Sequence, residues 1–142
     1  MAYIDANPFI YAAIELPTDA KAVQSKDIFI KIASGKILAS TSILTWDELV
    51  WVCRKSLPIN LAIKIGLSMI SLPKLEIMEA NKLTAVKASA LMDQYGLKPR
   101  DAIHAATAIL NGEREIITDD ADFDKVRELK RVALAEAANN LK

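Results

Sequence analysis

The 142-residue sequence has a single cysteine, Cys53, and a single histidine, His104. One cysteine cannot form an intrachain disulfide, so nothing in the sequence points to an oxidising compartment. Nucleophilic cysteine catalysis would require a base oriented toward the thiol, and no motif orients His104 toward Cys53. We therefore expect no cysteine chemistry and predict that Cys53, within VWVCR, is a buried helix residue.

The sequence also has no excess of charge of either sign. Its 18 basic residues balance 18 acidic ones, so the formal net charge is zero. A general affinity for nucleic acid usually shows as a basic excess, and this balance weakens that function without excluding a local basic rim. Few glycines and prolines, with 52% hydrophobic residues, indicate a folded chain, and we expect one domain over residues 1–142.

Long apolar runs are missing as well. The longest apolar stretch, LAIKIGLSMISL, is interrupted by Lys64 and followed by Pro73, so it is too short and too charged to span a bilayer. The start, MAYIDANPF, carries Asp5 and no basic segment before an apolar run, which is unlike a signal peptide. We expect no membrane association and a cytoplasmic location.

Short apolar runs alternate with helical patterns along the chain. Helices are predicted to begin near residue 7, to end at Gly35, and to cover ILTWDELVWVCRKS, the stretch from Pro58 toward Ser71, NKLTAVKASALMDQYG, PRDAIHAATAILNG, DFDKVREL and AEAANNLK. Strands are predicted at AYID, KILAST, LEIMEA and EIIT, with KRVAL as a possible edge strand. This alternation predicts an α/β fold with three layers, α/β/α, around a mostly parallel sheet of four to five strands.

Carboxylates stand where predicted strands end or predicted helices begin. These acids are Asp5, Glu48, Asp101, Asp119, Asp120 and Asp122. A parallel sheet gathers the carboxyl ends of its strands along one rim, so acids that are distant in sequence can converge there. Crowded carboxylates repel one another unless a cation lies between them, and an all-oxygen site suits Mg²⁺ or Mn²⁺. The set therefore predicts a divalent-metal site.

Each acid also has an ordinary structural explanation. Asp5 could serve a turn, as could Asn7, and Asp101 in the first turn of its helix is favoured by about 0.3 to 1 kcal/mol through the helix dipole. Asp122 could be only the N-cap of the DFDKVREL helix. Glu48 falls close to an apolar stripe, where a carboxylate needs a metal, a lysine or an arginine as partner.

Two further interpretations of single residues or motifs are not favoured. ITDDADFD resembles the start of a calcium-binding loop, but Lys125 and Arg131 occupy the positions that require glycine and a bidentate acid. His104, one turn after Asp101, could be a metal ligand, although a lone histidine is more often a packed helix residue.

The segments YIDANPFIYA, TSILTWDELVWV, KPRDAIHAATAI and ITDDADFDKV together resemble the motif blocks of the PIN-domain family, in particular its VapC-type toxins. The resemblance implies an endoribonuclease fold that binds Mg²⁺ or Mn²⁺ and cuts RNA. It assigns Asp5, Glu48, Asp101 and Asp120 to the acidic quartet and Asp122 to a frequent fifth acid. Thr118 matches the hydroxyl residue that precedes the last acids, and Asn7 matches the small polar residue after the first.

The resemblance also implies a homodimer and an antitoxin protein whose tail reaches the acidic groove. The apolar helices over residues 43–71 carry more large side chains than one buried face needs, and we expect them to form the dimer or partner surface. Residues at that surface include Trp46, Trp51, Leu57, Ile63, Leu67 and Ile70.

RNA hydrolysis by such a site would use a metal-activated water molecule. We expect Asp5 and Asp101 to be the central ligands, Asp120 and Asp122 to bind directly or through water, and Glu48 to orient a ligand or water. Contacts with the RNA backbone are expected from Arg54, Lys55, Lys98 and Arg100.

Two other functions compete with this one. A phosphoacceptor receiver domain would need two adjacent acids after the first strand, where this chain offers only Asp5. A catalytically silent RNA-binding or scaffold member of the same fold is the other alternative.

Overall fold

The computed structural model describes residues 1–140 and contains five strands and seven α-helices within that range. The strands are β1 (Ala2–Ile4), β2 (Ala39–Ser42), β3 (Leu75–Met78), β4 (Glu115–Ile117) and β5 (Lys130–Val132). The helices are α1 (Ala6–Ile14), α2 (Ala20–Ala33), α3 (Ile43–Ser56), α4 (Ile59–Ile70), α5 (Lys82–Tyr95), α6 (Pro99–Leu110) and α7 (Leu134–Asn140). The end of the predicted AEAANNLK helix, residues 141 and 142, lies outside the described residues.

All strand pairs in the sheet are parallel, in the order β3-β2-β1-β4-β5. The predicted α/β class is confirmed, and KRVAL supplies the predicted edge strand. Receiver domains share the doubly wound order 2-1-3-4-5, which differs from the order found here. The sheet order therefore does not support the receiver-domain alternative.

The alternation of side chains along the strands divides the interior into two cores. Tyr3 and Ile116 point into a core formed with α5 and α6, whereas Ile4 and Ile117 point into a second core formed with α1 to α4 and α7. Cys53 is buried in this second core, as predicted. Helices therefore cover both faces of the sheet, which confirms the three layers.

Most predicted helix ends coincide with observed caps. Ser42 caps α3 through its hydroxyl, Asn81 and Thr84 form a capping box on α5, and Gly96 ends α5 in the left-handed conformation. Pro99 occupies the first turn of α6, where its missing N–H costs nothing.

The predicted DFDKVREL helix is wrong in length. The structure has a single 3₁₀ turn over Ala121–Lys125, because the chain must turn there to bury Phe123, Val126 and Leu129 before it enters β5. Its N-cap is Asp120, whose Oδ1 accepts from the backbone N–H of Asp122. Within residues 1–140, no helix is long and apolar enough to cross a membrane.

Candidate metal centre

The two central strands bring the first and last acidic segments together. Ile4 of β1 lies beside Ile117 of β4, and the backbone N–H of Asp5 donates to the carbonyl of Ile117 at 3.1 Å. The residues that follow both strands, Asp5 and Thr118, therefore meet at the carboxyl rim of the sheet. This is the convergence that the parallel alternation predicts.

Asp5 is held rigidly within this rim. Its Oδ1 accepts from the backbone N–H of Ala6 at 2.8 Å, so Asp5 is also the N-cap of α1. Its Oδ2 accepts from the Thr118 hydroxyl at 2.8 Å. Burial raises the pKa of the Asp5 carboxyl, although His104 and the Thr118 hydrogen bond oppose that shift.

Thr118 joins three parts of the rim through one hydroxyl. Besides donating to Asp5, its Oγ1 accepts from Asn7 Nδ2 at 3.1 Å and from the backbone N–H of Asp120 at 3.0 Å. One donated and two accepted hydrogen bonds are all that a hydroxyl can make. Asn7 also accepts, through Oδ1, from the backbone N–H of Asp119 at 3.3 Å. The two residues predicted as supporting thus fix β1, α1 and the β4 rim loop to one another.

Glu48 extends from α3 and is linked to the rim by His104. The Nε2 of His104 donates to Glu48 Oε1 at 2.8 Å and lies 3.4 Å from Asp5 Oδ1. The Nδ1 of His104 shares a 2.6 Å hydrogen bond with the Tyr3 hydroxyl, which accepts from the backbone N–H of Ser42. Glu48 is therefore anchored to the core of the sheet through His104 and Tyr3.

The pKa values of His104 and Tyr3, which are both buried, are set by their surroundings. Burial alone would lower the pKa of His104, but the carboxylates of Asp5, Glu48 and Asp101 outweigh burial and raise it. Burial also raises the pKa of the Tyr3 hydroxyl far above its usual range, so this group stays protonated. When it is protonated, His104 supplies positive charge behind the acids.

Three acids face one another at the front of the rim. One carboxylate oxygen each from Asp101, Asp120 and Asp122 lies within 4.8 Å of the others. Desolvation, followed by repulsion from Asp120 and Asp5, raises the pKa of Asp101 to about 6. The cluster thus holds negative charge that these side chains do not neutralise among themselves.

These three residues fit a divalent cation by their donor chemistry and spacing. Carboxylate oxygens are the ligands that Mg²⁺ and Mn²⁺ prefer, and three of them converge here within 4.8 Å of one another. Asp101, Asp120 and Asp122 could therefore hold the ion, with Asp5 close enough for its charge to act on Asp101.

A cleft of about 490 Å³ opens onto the front acids and brings basic residues to them. It is lined by Glu48, Lys98, Pro99, Arg100, Asp101 and Asp120. Lys98 and Arg100 precede Asp101 at the start of α6 and are exposed. Arg54 and Lys55 do not line this cleft; both are exposed near the end of α3. The structure thus separates the four predicted RNA contacts into two pairs.

Two other acids of the rim loop belong to different contacts. Asp119 Oδ2 accepts from Lys21 Nζ at 2.6 Å and from the Tyr11 hydroxyl at 2.9 Å, which lowers the Asp119 pKa. Asp124 forms a two-point ion pair with Arg131. Both acids tie the loop to neighbouring elements and stay out of the front cluster.

Tyr3 and His104 are the site residues that the sequence argument did not assign. A signal for His104 exists, since it follows Asp101 by one helical turn on a helix otherwise rich in alanine. The sequence gives no comparable signal for Tyr3, which reads as an ordinary strand residue.

Comparisons with known proteins agree with this fold. The sequence model of the PIN domain matches residues 2–129. No curated protein matches the chain.

Several solved structures share the fold at low sequence identity. The Rickettsia felis VapBC2 complex bound to a promoter DNA fragment contains a chain 19% identical, with a TM-score of 0.71 over 94% of this chain and 98% of that one. A Klebsiella pneumoniae toxin-antitoxin complex gives 22% identity and a TM-score of 0.65 over 92% and 96% of the two chains. The Mycobacterium tuberculosis toxin VapC20, which cleaves the sarcin-ricin loop, gives 14% identity and a TM-score of 0.70 over 89% and 95%.

At these identities the solved structures establish the fold alone, whereas the family match rests on the sequence. That match covers residues 2–129, including the whole acidic rim from Asp5 to Asp122. This chain belongs to the PIN domain family.

Proposed function

We propose that the chain is a divalent-metal-dependent endoribonuclease, the VapC-type toxin of a toxin-antitoxin pair, and that it hydrolyses RNA phosphodiester bonds with Mg²⁺ or Mn²⁺. The proposal depends on one observation: Asp101, Asp120 and Asp122 converge, and the cleft lined by Asp101 and Asp120 also presents Lys98 and Arg100. Acids alone would repel a phosphate, and cations alone would not activate water. Their combination suits a metal-assisted attack on a polyanion.

Each side chain has a role that follows from its contacts. A bound divalent ion would lower the pKa of a water molecule and contact phosphate oxygens. Asp101, Asp120 and Asp122 would hold it, and Asp5, fixed by Thr118, would complete the acidic set. Glu48, oriented by His104, lines the cleft and would position a water molecule or a ligand. Lys98 and Arg100 would receive the RNA backbone.

The experiment is cleavage of a labelled RNA with Mg²⁺ or Mn²⁺, with EDTA, and with two matched variants. Asp101→Asn should abolish cleavage, whereas Asp93→Asn, the same change on the exposed surface of α5, should leave it unchanged. Cleavage that survives both EDTA and Asp101→Asn would disprove the assignment. RNA binding without cleavage in the wild type would instead indicate the catalytically silent alternative.

An antitoxin is the partner that we propose for the apolar groove between α1, α2, α3 and α4. The groove has a volume of about 380 Å³, and its lining residues include Phe9, Phe29, Leu49, Ile65, Met69 and Leu72. Three of the similar structures are toxin complexes with VapB-type antitoxins. Co-expression with the protein encoded by a neighbouring gene should give a stable complex that no longer cleaves RNA.

We also propose a homodimer through α4. Ile59, Ile63, Leu67 and Ile70 form an exposed apolar stripe on this helix, beside the buried stripe of Ala62, Gly66 and Met69. An exposed apolar stripe of this length is typical of an interface. Light scattering should give twice the chain mass, and Leu67→Lys should give a monomer. A wild-type monomer at high concentration would contradict the dimer.

A further inference from the structure

Helix α3 carries two tryptophans in different environments. A methyl group added at Gly66 of α4 would lie 2.8 Å from Trp46 Nε1, so the Trp46 indole rests against α4. Trp51 is 52% exposed and belongs to neither hydrophobic core. Packing between α3 and α4 therefore accounts for Trp46 but leaves the Trp51 ring unexplained.

Trp51 lies on the side of α3 that carries Glu48. Each residue advances about 100° around a helix and about 1.5 Å along it, so Trp51 is about 60° and 4.5 Å from Glu48. Lys55 lies about 20° from Glu48 by the same count. Val50, whose methyl group faces Gly66 of α4, lies about 160° from Glu48. Trp51 therefore lies one turn after Glu48, which lines the acidic cleft, and on a different side of α3 from the contact with α4.

Charged side chains of α3 surround the Trp51 ring. Lys55 Nζ lies 5.4 Å from the centroid of the ring, within the range of a cation–π contact. Arg54 follows Trp51 by three residues, and Asp47 and Glu48 precede it by four and three. Cores of protein interfaces are depleted of charged residues, so this setting is less suited to a protein partner than the apolar stripe on α4.

We propose that Trp51 stacks on an unpaired base next to the scissile phosphate, while Lys55 contacts a flanking phosphate. This inference rests on the proposed ribonuclease function and adds to it a base-binding residue outside the acidic cluster. Aromatic side chains bind single strands by stacking, and every base offers a π-face, so the contact tolerates different sequences. A base-paired duplex has no free base to offer and would bind less well.

The test measures RNA binding separately from cleavage. Binding of a labelled, mixed-sequence single-stranded RNA is followed by anisotropy with Mg²⁺ and with proteins that all carry Asp101→Asn, and cleavage is followed in the same variants with Asp101 intact. Trp51→Ala should weaken binding by about 5- to 100-fold, the range of one lost base stack, and raise KM with little change in kcat. Trp51→Phe should restore most of the affinity, and annealing the RNA to its complement should remove the difference between the variants.

The control is Leu83→Ala, which removes an equally exposed apolar side chain from α5 and should not change affinity. Unchanged RNA affinity in Trp51→Ala would overturn the inference, whatever the enzyme cleaves. If Trp51→Ala converts a dimer to a monomer without changing RNA affinity, the residue belongs to a protein interface and the inference fails. Trp51-dependent binding by a wild-type protein that cleaves no RNA would instead overturn the proposed function alone.

Discussion

Replacing Asp101 by Asn should stabilise the metal-free protein while removing its activity. Desolvation, followed by repulsion from neighbouring acids, raises the pKa of Asp101 from 3.8 to about 6. A shift of about 2 units corresponds to at most about 3 kcal/mol, since one unit is about 1.4 kcal/mol. Asp101 is half-exposed, and solvent screening reduces this to about 1.5 kcal/mol. The lost charge–dipole interaction at the start of α6 costs about 0.5 kcal/mol, leaving a net gain of about 1 kcal/mol.

The same shift fixes the sign of the pH dependence. A carboxyl whose pKa is higher in the folded state binds more protons there than in the unfolded chain, so stability falls as pH rises from about 4 through about 6. Asp5 and His104 also have raised pKa values, so both add to the fall in stability with rising pH: Asp5 gains an unfavourable charge, and His104 loses a favourable one. Asp101→Asn should therefore leave a shallower decline than the wild type shows.

Urea unfolding in EDTA at about pH 4.5 and about pH 7.5 measures both effects. We expect the variant to exceed the wild type by about 1 kcal/mol at the higher pH, which corresponds to about 3 °C in Tm, and by much less at the lower pH. Adding Mn²⁺ should reverse the order, because an ion that binds only the folded wild type stabilises it. Asp93→Asn is the matched control and should change neither stability nor activity.

A single result would refute this reasoning. If Asp101→Asn is less stable than the wild type in EDTA at the higher pH, the acids are not held against one another, and the metal site loses its electrostatic basis. Unaltered cleavage by the same variant would remove its chemical basis.

Three other substitutions test the support of the rim and the packing of α4 against α3. Thr118→Val should lower metal affinity and activity about 10- to 100-fold, because Asp5 loses the hydroxyl that orients it. Thr118→Ser keeps a hydroxyl and should retain both the metal affinity and the activity. Equal metal affinities of the two variants in titrations would contradict this role. Tyr3→Phe should lower the unfolding free energy by about 2 kcal/mol, because His104 Nδ1 and the backbone N–H of Ser42 lose their hydrogen-bond partner. A change below about 0.5 kcal/mol in urea unfolding would contradict the contribution of these buried hydrogen bonds. Gly66→Ala should lower the unfolding free energy of the protein by about 1 kcal/mol. The added methyl group would lie 2.6 Å from the side chain of Val50, and the strain exceeds the gain of about 1 kcal/mol in helix propensity. A more stable variant would show that α3 and α4 can separate freely.

The fold was predictable from the sequence because its elements carry local signals. Pro99 at the start of α6, Gly96 after α5 and Asn81 before it each mark a helix end by their own chemistry. The length of the DFDKVREL helix was mispredicted because tertiary packing determines where this helix ends. The chain must turn so that Val126 is buried, and local helix propensity contains no information about that requirement. The strand order across the sheet is likewise a property of packing that no local pattern contains.

The front of the site was also predictable in outline, since parallel strands dictate where their ends meet. Which of the acids group together within the site was not predictable from the sequence. Asp101, Asp120 and Asp122 come together, whereas both oxygens of Asp5 are engaged by Thr118 and by the first turn of α1. Which acids face one another depends on side-chain hydrogen bonds between residues more than 100 positions apart. The ligand set proposed from sequence, with Asp5 and Asp101 at its centre, stays a prediction that metal titration of the separate variants can test.

Glu48 shows how far a physical argument from sequence can reach. A carboxylate beside an apolar stripe needs a partner, and from the sequence we expect a metal, a lysine or an arginine to be the partner of Glu48. The structure provides His104 instead, and histidine suits this place better than either base. Its ring has two nitrogens on opposite sides, so it binds Glu48 and Tyr3 at once, whereas lysine carries all its donors on one nitrogen. The carboxylates of Asp5, Glu48 and Asp101 raise the pKa of His104, so the charge of this partner depends on the acids that it supports. Glu48 therefore obtains a partner that is itself fixed to the core by Tyr3, which a flexible lysine or arginine side chain would not provide.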